Sequence, residues 1–343
     1  MKTLVIGSSS KSSGKTGIIV GMAAALRKTA GYMKPFGDRL IYHKKRLWDY
    51  DSALMTSLWN LQENPEDISI GFQHAKLKYK YDEAATVEKL REVASRCGGG
   101  KEILFVEGGP YLDYGLSVHL DAVSVAKALD GDLVIVVSGS EGIIADEVMS
   151  IKKNTDLKGV RFKGVIINKV HDPEDFKSTY LPDIAKLGIP ILGTLPHKSE
   201  MAHFTMGYLA DLLFSKIIAG EGGLGNEVGH IVIGAMSVGS ALRNTPFNKE
   251  KKLVITSGDR NDMILAALEG GTSGIIITNN ILPTPDVIAR ASQQNIPLLL
   301  VSNDTFLTAK QVDEMEPLLT KNDPKKIALL STLVKENIDL SQF

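Results

Sequence analysis

From Thr3 to Gly193 the chain alternates two kinds of apolar segment, and this alternation restricts its possible folds more than any other feature. The runs Thr3–Gly7, Ile103–Val106, Leu133–Val137, Val165–Ile167 and Pro190–Gly193 are short and β-rich, with the length of buried strands. The stretches Gly17–Thr29, Asp51–Leu61, Glu83–Cys97, Leu116–Leu129, Ala145–Thr155 and Asp175–Leu187 are amphipathic and of helical length. Apolar strands separated by helices predict an α/β fold, with a parallel sheet covered on both faces.

The apolar segment Met201–Ile218 is expected to form one helix ahead of Gly220-Glu-Gly-Gly-Leu-Gly225, a run whose glycines read as a flexible linker. Beyond it a smaller alternation begins. Ile231–Ala235, Leu253–Thr256, Gly274–Thr278 and Pro297–Val301 read as strands. Asn261–Glu269, Pro285–Gln294, Thr305–Met315 and Pro324–Ile338 read as helices. At about 100–200 residues per domain, 343 residues make two domains. The expected division is 1–219, a linker at 220–225, and a second α/β domain at 226–343.

With 39 basic residues against 40 acidic ones, the net charge of −1 gives no basis for general binding to nucleic acid or to a membrane surface. The single Cys97 excludes a disulfide framework or a cysteine-built metal centre. No apolar run approaches the ~18 residues that span a bilayer. Met1-Lys2 leads straight into a strand with no signal-peptide pattern, so the chain reads as a cytoplasmic protein.

The strongest local signal is Gly7-Ser-Ser-Ser-Lys-Ser-Ser-Gly14-Lys15-Thr16, placed between the first strand and the first helix. A phosphate loop needs this context, because backbone N–H groups and the helix dipole then converge on an anion. Ser12, Ser13, Gly14, Lys15 and Thr16 are the expected nucleotide contacts, with Lys15 on the β/γ-phosphates and the Thr16 hydroxyl on Mg²⁺. The strict pattern wants glycine where Ser9 stands. Further acidic ligands belong at the carboxyl ends of neighbouring strands. Glu107 ends the strand Ile103–Val106, and Asp51 sits where a helix begins, either as a metal ligand or as a helix-start acid. Lys34, before Pro35, is a candidate for an anionic substrate or the transferring phosphate, or a solvated lysine. Asn168 ends a buried strand, where its amide either reads a nucleobase edge or holds the turn.

In this order the residues resemble the dethiobiotin synthetase/cobyrinic acid amidase branch of the P-loop ATPases. The matching pieces are the phosphate loop, Lys34-Pro35, Asp51-Ser52-Ala53-Leu54, Val106-Glu107-Gly108-Gly109, Gly164-Val-Ile-Ile-Asn168 and Gly193-Thr-Leu-Pro196. The resemblance implies ATP and Mg²⁺ as cofactors, with Thr16, Asp51 and Glu107 at the metal. It implies Lys15 and Lys34 at the phosphoryl group and Asn168 by the base. Two departures weigh against synthetase or amidase chemistry. Phe36-Gly37-Asp38-Arg39 follows Lys34-Pro35, and an Asp there would repel an anionic substrate. There is also no Cys–His arrangement for a glutaminase.

The second half is similar to the DRTGG domain, through Val232-Ile-Gly-Ala-Met-Ser237 and Ile255-Thr-Ser-Gly-Asp259-Arg260-Asn-Asp262, although Asn261-Asp262 replaces the Thr-Gly-Gly. The pair of modules resembles the N-terminal region of long-form phosphate acetyltransferases, without the acyltransferase domain and so without that activity. The resulting expectation is a regulatory Mg²⁺–ATP sensor of weak or absent ATPase activity. A small molecule or protein would bind the second domain, and the protein is expected to form a homo-oligomer. The alternative is an ATP-dependent ligase that activates a carboxylate through an acyl phosphate. Lys44-Lys45-Arg46 reads as a solvated face, Cys97 as structural, and His171 and His197 as loop linings. Asp259-Arg260 and Thr278-Asn-Asn280 form either an internal ion pair and turn or a small anion pocket.

Overall fold

The computed structural model describes residues 1–43 and 45–343; Lys44 of the basic run lies outside them. Two compact units make up the chain: Met1–Lys198 together with Leu319–Phe343, and Ser199–Leu318.

The first unit contains β1 (Lys2–Ser8), β2 (Ala30–Met33), β3 (Leu40–His43), β4 (Arg46–Asp49), β5 (Ile103–Glu107), β6 (Asp132–Ser138), β7 (Arg161–Val170) and β8 (Ile191–Pro196). Six of them form one sheet in the order β2-β5-β1-β6-β7-β8. Every pairing in it is parallel. Leu4, Val5 and Ile6 of the central strand are wholly buried, as are Leu104, Phe105 and Val106 beside them. Both faces of these strands are therefore covered, which explains their unbroken apolar sequence. The hairpin β3–β4 leads directly into the helix Tyr50–Leu58. The expected helix Leu116–Leu129 is divided, because Asp121 accepts from Val123 and Ser124 N–H and starts a new helix at Ala122.

The helix Pro324–Asn337 belongs to this first unit. It lies along the helix Lys15–Leu26, where Gly17 and Gly21 leave room for Leu330 and Val334. Ile338 then bridges to Gly193, and Asp339 N–H donates to Leu192 O at 3.0 Å.

The second unit contains β9 (Phe204–Thr205), β10 (Lys216–Ala219), β11 (Glu227–Val228), β12 (His230–Ile233), β13 (Lys252–Ser257), β14 (Thr272–Thr278) and β15 (Leu298–Leu300). Its main sheet runs β10-β15-β14-β13-β12, parallel except for the edge strand β10. Separate apolar clusters lie on its two faces.

Two expectations are corrected here. Met201–Ile218 is not one helix. Thr205 caps a helix at Met206–Leu212, Phe214 turns the chain at φ 48°, and Lys216–Ala219 joins the sheet antiparallel to Leu298–Leu300. The join is also not at Gly220–Gly225, and 226–343 is not one unit: the compact units divide after Lys198 and again at Leu319. Gly220 and Gly223 are set by close packing. A Cβ at Gly220 would lie 2.2 Å from Ile296 O, and one at Gly223 would lie 2.0 Å from Asn295 O.

Candidate functional site

At the carboxyl end of β1 the chain turns through Ser12 and Gly14, with φ of 58° and 91°, and enters the helix at Lys15. Among the described residues no side chain caps this helix, and its first turn carries no acid. Helices starting at Tyr50, Glu83 and Ala122 are instead capped by Asp49, Asp82 and Asp121. The uncapped start keeps its N–H groups and positive dipole end for an anion. Among the described residues Ser9 Oγ is buried with no hydrogen-bond partner, a polar atom in keeping with a loop shaped to receive polar ligand atoms. Lys15 Nζ donates to Ser8 Oγ at 2.8 Å, and its burial lowers its pKa below that of an ordinary lysine.

β1, β5 and the helix after β4 bring three oxygen groups together. Thr16 Oγ1 lies 2.9 Å from Glu107 Oε1 and 3.3 Å from Asp51 Oδ1. Both acids are buried. A hydroxyl has one proton to share between them, so carboxylate lone pairs remain for a cation. Burial, reinforced by the charge of Asp51, pushes the Glu107 carboxyl up to about 7. Tyr32 OH, wholly buried on β2, donates to Glu107 Oε2 at 2.8 Å and fixes that carboxylate from behind. Hard oxygen donors of this kind fit Mg²⁺ chemically, and Thr16, Asp51 and Glu107 are the residues that would hold it.

Lys34 leaves the end of β2 into a ring of acids. Its Nζ lies 2.6 Å from Asp51 Oδ2, 2.6 Å from Asp38 Oδ1 and 3.3 Å from Asp49 Oδ2. Burial favours loss of its proton, but the carboxylates of Asp51, Asp49, Glu107 and Asp38 outweigh this and hold its pKa well above the ordinary lysine value. The three acids offer oxygens within 4.8 Å of one another, yet the Lys34 ammonium is already paired with each of them. Asp49 is the helix cap, accepting from Ser52 N–H at 3.1 Å. That leaves Asp51, inside the first turn, directed at Lys34 and Thr16. For Asp51 burial raises the pKa, while Lys34 and Arg39 more than reverse this and leave it below the usual value.

Asn168 Nδ2 donates to Ser13 O at 2.8 Å, and Lys169 Nζ donates to Ser12 O at 2.7 Å. Both therefore brace the outer side of the phosphate loop. Asp38 and Arg39 belong to the segment after Lys34-Pro35 in which an Asp was expected to repel anions, whereas nothing in the sequence analysis singled out Tyr32, Asp49 and Lys169. Asp49 alone carried a usable signal, as the acid immediately before a helix in Trp48-Asp49-Tyr50.

Cys97 is buried, and burial pushes its thiol up to about 12, so it is not a nucleophile. His171 and His197 stack with ring centroids 4.3 Å apart. In the second unit Arg260 donates to Met236 O at 2.9 Å and pairs with Asp262, so its guanidinium is used to fix the turn after β12. Thr278 Oγ1 lies 2.8 Å from Thr305 Oγ1 at the same strand ends.

The parallel sheet and the loop at its first strand define a P-loop NTPase-like α/β protein. A family model described as an AAA domain matches residues 2–204, and one described as a DRTGG domain matches residues 208–315. The chain belongs to this AAA domain family and carries the DRTGG domain after it. It is similar to the phosphate acetyltransferase of Synechocystis sp., at 24% identity over 361 residues, 98% of this chain and 50% of that protein. It is also 23% identical over 360 residues to the phosphate acetyltransferase of Nitratidesulfovibrio vulgaris, covering 99% of this chain and 51% of the relative. The chain spans about half the length of these curated relatives and corresponds to their N-terminal region. Among solved structures it is similar to the CBS and DRTGG domains of the regulatory region of Clostridium perfringens pyrophosphatase, complexed with the activator diadenosine tetraphosphate. That match has a TM-score of 0.31 and 21% identity, over 36% of this chain and 50% of the other. No helix among the described residues is long and apolar enough to cross a membrane.

Proposed function

We propose that the first unit binds Mg²⁺–ATP at the Gly7–Thr16 loop and turns it over slowly or not at all. A second ligand or a partner at the DRTGG domain would then be linked to nucleotide occupancy. The observation that carries the reading is the convergence of Thr16, Asp51 and Glu107 beside an uncapped helix start. Bound there, Mg²⁺ would supply charge neutralisation to the β/γ-phosphates. Lys15 would bind the phosphates, Tyr32 would hold Glu107 in register, and Asn168 and Lys169 would keep the loop open. Weak turnover is supported by Lys34, whose ammonium is surrounded by carboxylates of its own chain. The ligase alternative needs that ammonium facing a second substrate, and the same geometry disfavours it. If the two units communicate, each ligand changes the other's affinity by the same factor.

Titration of ATP with and without Mg²⁺ tests the reading. The wild-type protein is expected to bind Mg²⁺–ATP and Lys15→Ala to lose about tenfold or more, the size of a charged hydrogen bond. No binding by the wild type, or undiminished binding by Lys15→Ala, overturns it. A screen in which one small acid sharply raises ADP release would favour the ligase.

A further inference from the structure

We propose that Asp38 is a specificity-determining residue, which occupies Lys34 and so turns small carboxylate and phosphate anions away from the position beside the phosphate loop. An ammonium group has three N–H donors. Lys34 has three carboxylates within ion-pair distance, at 2.6, 2.6 and 3.3 Å, and its side chain is only 2% exposed. An incoming oxyanion therefore meets an ammonium that already carries a hydrogen bond to Asp51 and ion pairs to Asp38 and Asp49.

The three acids are not equally able to leave. Asp49 is wholly buried and accepts from the backbone N–H groups of Asp38, Arg39 and Ser52, so it is part of the framework. Asp51 is held between Lys34, Arg39 and Thr16. Asp38 has the most exposed side chain of the three, at 15% against 0% and 2%. Its backbone is nevertheless fixed. Gly37 N–H donates to Gly71 O at 3.1 Å, and a Cβ on Gly37 would come within 2.7 Å of Phe72. The loop thus fixes against Lys34 the carboxylate that is the most open to solvent of the three.

Charge points the same way, because removing the Asp38 carboxylate takes one negative charge from beside Lys34 and opens one side of the ammonium to an anion.

This inference rests on the proposed nucleotide-binding role only for its meaning, since its test needs no nucleotide. The experiment is calorimetric titration of malonate, and separately of inorganic phosphate, into nucleotide-free Lys15→Ala protein with and without Asp38→Asn. Lys15→Ala silences the lysine of the phosphate loop, so a new signal reports the Lys34 side of the site. Asp38→Asn is expected to tighten binding of both anions by about tenfold or more. Asp38→Ser should do the same, while Asp38→Glu, which restores a carboxylate, should stay at the parent level. Circular dichroism and the thermal transition establish that each variant is folded, and the serine variant replaces the asparagine one if the latter is not. No gain in a folded Asp38→Asn or Asp38→Ser protein, or an equal gain in Asp38→Glu, overturns the proposal. Failure of ATP to bind the wild type would overturn the nucleotide reading and leave this result intact.

Discussion

The hydroxyl of Thr16 and the carboxylate of Glu107 are 2.9 Å apart, joining the start of the first helix to the end of β5. The contact buries an acid whose carboxyl is pushed up to about 7, first by desolvation and then by Asp51. In the unfolded chain a glutamate titrates near 4.3. Between those values the folded protein keeps a proton that the unfolded chain has released. The stability this group contributes is therefore full below the unfolded value and lost as pH rises through about 7. Glu107→Gln has no such proton to lose. Urea denaturation of metal- and nucleotide-free protein at pH 5 and pH 8 should show a larger fall in midpoint for the wild type than for Glu107→Gln. Parallel falls would mean that Glu107 is not the group responsible.

Tyr32 should matter through the same carboxylate. Its hydroxyl is the donor to Glu107 Oε2 at 2.8 Å, and its ring is wholly buried. Tyr32→Phe keeps the ring and removes the donor, at an expected cost of about 1–3 kcal/mol for an acceptor left without a partner. It should also weaken Mg²⁺-dependent ATP binding more than Mg²⁺-independent binding, because Glu107 loses its orientation. Equal losses with and without Mg²⁺ would assign Tyr32 to packing alone.

These residues also mark how far the sequence could be read. The phosphate loop and Glu107 were legible because each is local, an apolar strand running into its own functional end. Asp51 was visible but ambiguous, since an acid at a helix start has two uses. Only the cap made by Asp49 separates them. Asp38 was legible as a charge close after Lys34, but Tyr32 meets Glu107 through the β2–β5 pairing, a relation that no spacing along the chain encodes. The apolar run Met201–Ile218 hid a helix cap, a left-handed turn and an edge strand, because burial in either element demands the same residue types. The helix Pro324–Asn337 read correctly as a helix, but its partner did not, since a helix face does not name the groove it fills.

That groove gives a contrast between two glycines. A Cβ at Gly21 would lie 2.5 Å from Val334 Cγ2 and 2.8 Å from the Leu330 carbonyl, whereas one at Gly17 would lie 3.3 Å from Leu330 Cδ2. In an open helix either change to alanine would stabilise by about 0.5–1 kcal/mol. Here Gly21→Ala must push backbone away and should cost about 1–3 kcal/mol, as overpacking does. Gly17→Ala meets only a side-chain methyl and should lie near neutral. Chemical denaturation of both variants checks the order, and a Gly21→Ala protein as stable as wild type would refute the close approach.

Asn168 offers the sharpest separation between a brace and a reader of the base. Its amide donates to Ser13 O at 2.8 Å, and a Cβ added to Gly14 would come within 2.5 Å of the same nitrogen. The amide therefore backs the loop at the point where Gly14 takes its left-handed turn, φ 91°. Asn168→Asp would set a carboxylate oxygen against that carbonyl and bring negative charge to the phosphate loop. About tenfold or greater loss of affinity is expected, the range for a charged group losing its partner. As a brace acts on the phosphates that all nucleotides share, ATP and GTP should lose affinity by the same factor, and Asn168→Ala should follow the same rule more mildly. Competition titrations with the two nucleotides measure this directly. A changed ATP-to-GTP ratio in either variant would instead give Asn168 the base-reading role that its place at the strand end also allowed.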